Sequence, residues 1–542
     1  MKIKALINKM FVFKTPFEED VFEIPDTETN INYDIRNDYE DKTPKISSDV
    51  KYNLSYIKKR FSVPENNDVV VREFLVGGNT KAFLFFYEGM VLTQIVDENI
   101  IKTLISLPLF SKNTNLTPKE LIGQFVSHNQ AKADDSFESI IEEVNFGSCG
   151  LFIDGFCKGF IFDVRGWGHR SITKPENEQS IYGPQEAFSE MLRNNSALVR
   201  KILKTEKLIC EGIKVGNISK TRGVLMYISD LANSELVNEV RRRLNSISID
   251  YCIAIEEVGM LVEDRNYMIT DSILQTERPD RVARALAEGR VAFMLNGSPH
   301  VLIFPTNAFE LMHSASDAYL RLPYANMTRY IRLTAMALSV LLPALYLAIT
   351  LFHQEMIPTF LVYAISASRE SVPFPSIVEL LLMDISFEMI REAGIRMPNP
   401  LGSTLGIVGG LILGQAAVSA KIVSPIMIII IALTGLGSFA TPDYSLSWSY
   451  RILRLIFIFL AGISGFYGVA IGIFLYMILL GAQKSFGVPF LSPIIKNTKG
   501  SVGSSIFVSP LWKREERPEY LDPKNLTQEP KISMKWKKKR KK

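Results

Sequence analysis

Residues Pro375–Ala420 read PSIVELLLMDISFEMIREAGIRMPNPLGSTLGIVGGLILGQAAVSA, and the rest of the chain is read outward from them. Asp384, Glu388 and Glu392 are four apart, so a helix stacks them along one face, with Glu379 just upstream and aliphatic residues around the remainder. Gly402, Gly406, Gly410 and Gly414 then recur every fourth residue in an uncharged apolar run. That spacing lays four positions without side chains along one helical stripe, where another backbone can approach closely. A carboxylate stripe beside a close-packing helix, in an apolar region, suggests a cation path built by several subunits. The plainer alternative is a surface amphipathic helix in which Glu388 and Arg391 pair at i,i+3.

On the C-terminal side, Ile422–Ala440 and Leu455–Leu480 are further apolar runs, joined by the short polar TPDYSLSWSY. On the N-terminal side, Leu333–Phe352 is long enough to cross a bilayer, and Pro343 is tolerable within it. These four spans (333–352, 402–420, 422–440 and 455–480) return the tail to its starting side. Arg321, Arg329 and Arg332 before the first span, and KWKKKRKK at 535–542, place both ends in the cytoplasm. Arg451 and Arg454 resist this count, because they would lie at the outer end of the fourth span. The basic tail with Trp536 fits anionic lipid headgroups better than nucleic acid.

The first 330 residues have a different texture. Residues 1–62 are polar and read as a flexible arm ending in a helix near Leu54–Phe61. DVVVREFLV, Gly77-Gly78-Asn79 and KAFLFFYE form a hairpin signal. So do CGLFI, Asp154-Gly155 and FCKGFIF, and so do VAFML, Asn296-Gly297-Ser298-Pro299 and HVLIF. Leu92–Leu107 and Ser234–Leu244 have helical spacing. Gly183-Pro184-Gln185-Glu186 reads as a helix start running to about Leu203, and Glu277-Arg278-Pro279-Asp280 as a second one, stopped by Gly289. Helix-start geometry explains both tetrads; contact with another subunit is the sharper alternative. The fold class is therefore a multidomain α+β (mixed α/β) cytosolic region of two lobes, followed by an α-helical polytopic membrane domain. The expected divisions are 1–62 (arm), 63–205 and 206–325 (lobes), 326–485 (membrane domain) and 486–542 (cytosolic basic tail).

Composition excludes several classes. A net charge of +4 over 542 residues gives no basis for bulk nucleic-acid binding. Cys149, Cys157, Cys210 and Cys252 lack metal-type pairing, as do His169 and His353, and read as reduced thiols and structural imidazoles. No nucleotide loop, nucleophile–base pair or metal constellation is evident, so neither an enzyme nor a cofactor is expected.

Several longer stretches together resemble one family, the A subunits of GerA-type spore germinant receptors. They are PFPSIVELLLMDISFEMIREAGIRMP (373–398), STLGIVGGLILGQAAVSAKIVSP (403–425), SWSYRILR (447–454) and SFGVPFLSP (485–493) in the apolar half. The soluble half adds YGPQEAFSE (182–190), TERPD (276–280), EGRVAFMLNGSP (288–299) and SDAYLR (316–321). The likeness covers roughly 65–510 and departs from the family at Tyr182, Gln185 and Ala187. It implies a multi-pass protein of the spore inner membrane that acts with a permease-like B subunit and a lipoprotein C subunit. It also implies self-association, as a pentamer, into a nutrient-gated channel for monovalent cations that triggers germination. Under that reading Glu379, Asp384, Glu388 and Glu392 are candidates for the cation path, and the four glycines for helix packing and oligomerisation. The rival is a transporter or permease-type scaffold subunit without its own pore. A transporter predicts an internal repeat of membrane segments, which the sequence does not display.

Overall fold

The computed structural model describes residues 44–106, 131–166, 174–396, 410, 412–495, 505–511 and 514–528. Helix α1 (Val50–Arg60) opens this part of the chain, with the Asp49 carboxylate accepting from Lys51 N at 2.9 Å to satisfy a first-turn donor. A five-stranded antiparallel sheet follows: β1 (Val69–Val76), β2 (Thr80–Tyr87), β3 (Ala131–Asp134), β4 (Cys149–Ile153) and β5 (Gly159–Phe162), in the order β1-β2-β4-β5-β3. Helical segments Thr93–Ile95, Val96–Ile101 and Lys102–Ile105 cover one face, and α1 and α2 (Phe137–Asn145) the other. Strand β2 is apolar almost throughout because both faces are covered. Ala82, Leu84 and Phe86 meet Ile100 and Leu104, whereas Phe83, Phe85 and Tyr87 meet Ile57, Phe61 and Phe137. The end of the expected arm is therefore core, because Ile57 and Phe61 are fully buried.

The second sheet repeats the first. Helix α3 (Leu192–Ile202) precedes β6 (Leu208–Val215) and β7 (Thr221–Ile228). Then come α4 (Ser234–Asn245), α5 (Ile255–Val262), β8 (Leu274–Thr276), α6 (Pro279–Ala287), β9 (Val291–Leu295) and β10 (Val301–Phe304). The order β6-β7-β9-β10-β8 is the order of the first sheet, with helices inserted at corresponding points. Helix α3, expected in the first lobe, sits on the second sheet, with Leu198 and Val199 among Leu208 and Met226. Arg200 of α3 ties the two sheets together, donating to Asp68 Oδ1 at 2.8 Å, Asn66 Oδ1 at 3.1 Å and Leu208 O at 3.0 Å.

The tetrad Gly183–Glu186 does not open a helix, since the chain stays irregular until Leu192. Gly183 has φ +95°, outside the helical range, and the Pro184 carbonyl and Phe188 amide are engaged by Arg278 and Glu277. The second tetrad does start a helix, α6, with Pro279 in its first turn and Gly289 (φ +97°) beyond its end.

After the short α7 (Ala308–Leu311), α8 (Leu322–Phe352) runs 31 residues, about 46 Å, away from the second sheet. Helices α9 (Thr359–Arg369), α10 (Ser376–Arg396), α11 (residues 412–419), α12 (Pro425–Phe439), α13 (Tyr444–Ser464) and α14 (Phe466–Ala482) follow. The expected single span Leu455–Leu480 is two antiparallel helices. Gly465 (φ +58°) reverses the chain between α13 and α14, and Gly468 and Gly472 let α14 lie against Leu460 and Phe457. Hydropathy could not detect this, because a glycine turn in an apolar run leaves the run apolar.

Helix directions follow from the contacts at each end. Helix α8 starts beside the second sheet and ends with Phe352 and His353 against the Gly465 turn. The start of α13 and the end of α14 both return to the second sheet, at Ile269 and Thr270. Arg451 and Arg454 therefore lie near the sheet end of the bundle rather than at its far end. The described residues beyond α14 stay on the second sheet. Strands β11 (Lys484–Ser485) and β12 (Val488–Pro489) and residues 514–528 pack there, with Phe486, Val488, Tyr520 and Leu521 in its core. The described residues after 485 thus behave as part of that unit rather than as a separate tail; KWKKKRKK lies outside the described residues.

If residues 44–62 belong to the first sheet's core, Phe61→Ala should lower unfolding stability by about 3–5 kcal/mol, read by denaturant titration. A loss within experimental error would return the segment to a dispensable arm.

Candidate functional site

The acidic helix α10 packs one face against the bundle and leaves Val378, Leu382, Ile385 and Met389 exposed on the other, and its four carboxylates have four different surroundings. Glu379 is fully buried: its Oε1 accepts from the Ser424 amide at 2.5 Å, and Arg369 Nε lies 3.8 Å from Oε2. Ser424 caps α12, so this carboxylate sits where the unsatisfied amides and partial positive charge of a helix start favour an anion. Asp384 is buried against Arg454, with Oδ1 2.9 Å from Nη2. Glu388 is half-buried, 2.7 Å from Arg451 and 3.5 Å from Arg391. Glu392 is exposed and pairs along its own helix with Arg396 at 2.7 Å.

Charge is compensated here. Four acids face five arginines (Arg369, Arg391, Arg396, Arg451 and Arg454), each at ion-pair distance. The basic residues that resisted the span count and the acidic stripe that suggested a cation path are partners. In a low-dielectric surrounding either set alone would be costly, and the pairing removes most of that cost. The guanidinium of Arg391 also rests over the rings of Phe387 and Phe439, at 5.1 and 4.8 Å.

Of the glycine stripe, Gly402 and Gly406 lie outside the described residues. Among the described residues nothing lies within 4 Å of a Cβ added at Gly410, and a Cβ at Gly414 meets Ile428, at 3.7 Å.

The two loops expected to meet another subunit largely meet each other. Arg278 is fully buried and donates to Glu178 O at 3.0 Å and to Pro184 O at 2.8 Å, while pairing with Asp280 at 3.0 Å. Glu277 accepts from the amides of Asn177 and Glu178, both at 2.7 Å. The Tyr319 ring fills the space where a Cβ on Gly183 would stand, and its hydroxyl donates to Asp280. Pro279 is buried in the first turn of α6, and Glu186 pairs with Lys201. Of the two tetrads, Gly183, Pro184 and Gln185, beside Ile181 and Tyr182, remain exposed for a partner.

Sequence reasoning missed the joint between the sheet region and the helices. Ser449 Oγ donates to Ile269 O at 2.6 Å, Gln483 Nε2 to Thr270 O at 2.7 Å and Ser485 Oγ to Ser272 O at 2.6 Å. The Phe486 amide donates to Asp264 at 2.8 Å. Glu263 accepts from the Ser272 amide at 2.8 Å, and burial, with Asp271 nearby, pushes its carboxyl up to about 7. On α8, Arg329 and Arg332 grip Asp317 at 3.0 and 2.9 Å. Burial alone would raise the Asp317 carboxyl, but the two guanidiniums outweigh it and hold it below the ordinary range. The stretches SFGVPFLSP and SDAYLR carried this joint without any local pattern to reveal it. No group of three or more His, Cys, Asp and Glu side chains is placed to hold a metal among the described residues.

An ion-paired helical bundle behind a duplicated mixed α/β region, joined by loops 263–272 and 483–490, defines a two-part protein. Residues 55–520 match the family described as Bacillus/Clostridium GerA spore germination protein, and the chain belongs to that family. It is 37% identical over 476 residues to Spore germination protein KA of Bacillus subtilis (strain 168), covering 88% of this chain and 87% of that one. It is 35% identical over 454 residues to the uncharacterized membrane protein YfkQ of the same organism, covering 83% and 88%. Among solved structures it is similar to the N-terminal domain of the A subunit of the Bacillus megaterium spore germinant receptor GerK3. That likeness is at 27% identity and a TM-score of 0.36, over 48% of this chain and 96% of that one.

Replacing Arg454 by Leu strands Asp384 in the bundle and should cost about 3–5 kcal/mol. Asp384→Leu with Arg454→Leu should recover most of that loss in thermal unfolding of detergent-purified protein. No recovery would mean that the pair is incidental. Glu263 gives a pH test: its folded value of about 7 lies above the ordinary 4.5, so the folded state holds an extra proton between them. That contribution is fully present below 4.5 and is lost as pH rises through about 7. Glu263→Gln should therefore flatten the fall in unfolding midpoint over that window; an unchanged slope would assign the pH dependence elsewhere.

Proposed function

We propose that this chain is the A-type subunit of a spore germinant receptor, seated in the spore inner membrane with its sheet region and C-terminal end in the cytoplasm. The supporting observation is an apolar surface that water cannot satisfy. Helix α14 buries only Gly468, Val469, Gly472 and Leu480, leaving Tyr467, Ile471, Phe474 and Met477 outward. On α12, Ile429, Leu433, Leu436 and Phe439 are likewise exposed, as are Ile452, Phe459 and Ile463 on α13. A continuous outward apolar belt of this kind calls for lipid or for neighbouring subunits. Helices α8 and Tyr444–Ser464 are each long and apolar enough to cross a membrane, and α12 and α14 are shorter apolar helices.

In this reading α8, α10, the segment ending in α11, α12, α13 and α14 make six passes. The even number keeps the tail on the side of the sheets. Several copies, a pentamer in the family pattern, surround a path for monovalent cations, and a permease-like B subunit and a lipoprotein C subunit complete the receptor. Nutrient bound by a partner favours the open arrangement of this subunit through their shared contacts. The cation path then falls to Glu392 and the exposed part of Glu388. Asp384 and Glu379 act as internal fasteners, because their charges are already met within the protomer. A pore-less scaffold is the competing assignment.

Gly410→Leu adds a side chain where none of the described residues lies within 4 Å. It should leave the protomer's thermal stability unchanged and reduce crosslinked oligomers in membranes. Unchanged crosslinking would remove the glycine stripe from the subunit interface. Glu392→Lys should cut monovalent-cation flux from vesicles holding the receptor while protein abundance is kept. Equal flux in both proteins would favour the scaffold.

A further inference from the structure

A cavity of about 540 Å³ lies between the second sheet, the first turns of α8 and the C-terminal segment. Its size is that of a small-molecule site. Six arginines line it: Arg281, Arg284, Arg290, Arg329, Arg514 and Arg517. Two have spent their donors. Arg281 is held by Glu178 and the carbonyls of Glu310 and His313, and Arg290 by Glu310 and the Pro305 carbonyl.

Three others have capacity left. Arg284 is half-buried and meets only the Tyr319 ring, at 5.9 Å. Arg329 uses Nε on Asp317, while its Nη1 is buried without a hydrogen-bond partner. Arg517 donates only to carbonyls, those of Ala287, Asn525 and Thr527, and burial holds its guanidinium below the usual arginine range. Carboxylates line the cavity too: Glu310 and Glu288 are engaged with Arg290, and Asp317 with Arg329 and Arg332, while Glu515 is half-buried in the lining. Glu516 and Glu519 stand exposed at the rim. Guanidiniums with donors to spare inside an acidic rim suit a small anion and discourage a long polyanion such as nucleic acid.

The geometry points to a binding site for a compact phosphate-bearing anion, held by Arg284, Arg329 and Arg517. These residues come from three separate elements, and a tetrahedral phosphate accepts forked donors from several directions where a planar carboxylate accepts one fork. Occupancy would tie the C-terminal segment and α6 to the head of α8, the helix that leads into the bundle. The site stands apart from the acidic helix and does not depend on the channel reading. The phosphate could be that of a free metabolite or of a lipid headgroup, since α8 enters the membrane nearby.

The test is calorimetric titration of the full chain in nanodiscs with inorganic phosphate, at ionic strength matched with chloride. Saturable binding is expected, weakened about tenfold by Arg284→Gln and by Arg517→Gln, as suits the loss of one charged hydrogen-bond donor group. Lys58→Gln, at an exposed pair with Glu73 of β1 and outside the cavity, should bind as the parent does. If Arg517→Gln fails to fold through loss of its carbonyl contacts, Arg284→Gln decides alone, because that side chain holds no hydrogen bond. Equal phosphate affinity in discs of neutral lipid and of phosphatidylglycerol would assign a soluble anion. Affinity lost only in phosphatidylglycerol would assign a headgroup. No saturable binding in neutral discs, or binding untouched by Arg284→Gln, overturns the proposal.

Discussion

The bundle depends on two arginines one helical turn apart meeting two carboxylates one turn apart. Arg451 and Arg454 of α13 cross to Glu388 and Asp384 of α10, where the Asp384–Arg454 pair has almost no access to solvent. Neither helix could bury that face alone, because an isolated ionised group in such a place costs several kcal/mol. The pairing therefore fixes which faces of α10 and α13 turn inward. It also fixes which faces turn outward, and those are apolar. Arg391 extends the arrangement to α12 through Ser438 and the Phe439 ring, and Glu379 reaches the start of α12 through the Ser424 amide. One acidic helix thereby indexes two neighbours at both of its ends.

What was readable in the sequence divides along physical lines. Hairpins were legible because alternation and glycine turns are local: Gly77-Gly78 and Asn296-Gly297 sit where β1–β2 and β9–β10 reverse. Helix α6 was legible from Pro279 and Gly289 for the same reason. The carboxylates of α10 are legible as a stripe, but the partners of Asp384 and Glu388 lie 63 to 70 residues downstream, beyond any local pattern. Gly465 is hidden because hydropathy does not register backbone φ, and Gly183–Glu186 differs from its local signal because a buried arginine far along the chain takes the Pro184 carbonyl. The duplicated strand order was invisible for a related reason. Topology repeats here in elements whose residues differ, so neither spacing nor composition repeats with it.

The joint between the two parts is built from backbone carbonyls, which makes it specific in geometry and tolerant in sequence. Ile269, Thr270 and Ser272 offer closely spaced carbonyl acceptors to side chains from α13, from the end of α14 and from β11. Because α13 and α14 form one hairpin, a shift of loop 263–272 moves both helices together. The Asp317 pairs do the same for α8. The sheet region therefore holds the bundle at two separate places.

That arrangement constrains how any signal could pass. The far end of the bundle, where Phe352 and His353 pack on the Gly465 turn, is joined to the sheet end along α8, α13 and α14 and also along α10 and α12, which meet at Glu379 and Ser424 at one end and at Arg391 and Ser438 at the other. A change at the sheet joint must travel as rigid motion of those helices, because α8 packs closely along α12 and α13 through residues such as Ser339 and Gly437. Helix α10 is held to its neighbours by its ion pairs, by the Ser424 contact and by apolar packing, with Leu380 and Met383 buried, Ile377 against Gly462 and the Phe387 ring against Gly435. The Arg454 guanidinium lies within 3.7 Å of Glu388 as well as on Asp384, so one arginine serves both carboxylates. Glu392 lies beyond this packed part and pairs along its own helix with Arg396, so relative movement of that end of α10 would displace charge where it remains open to water.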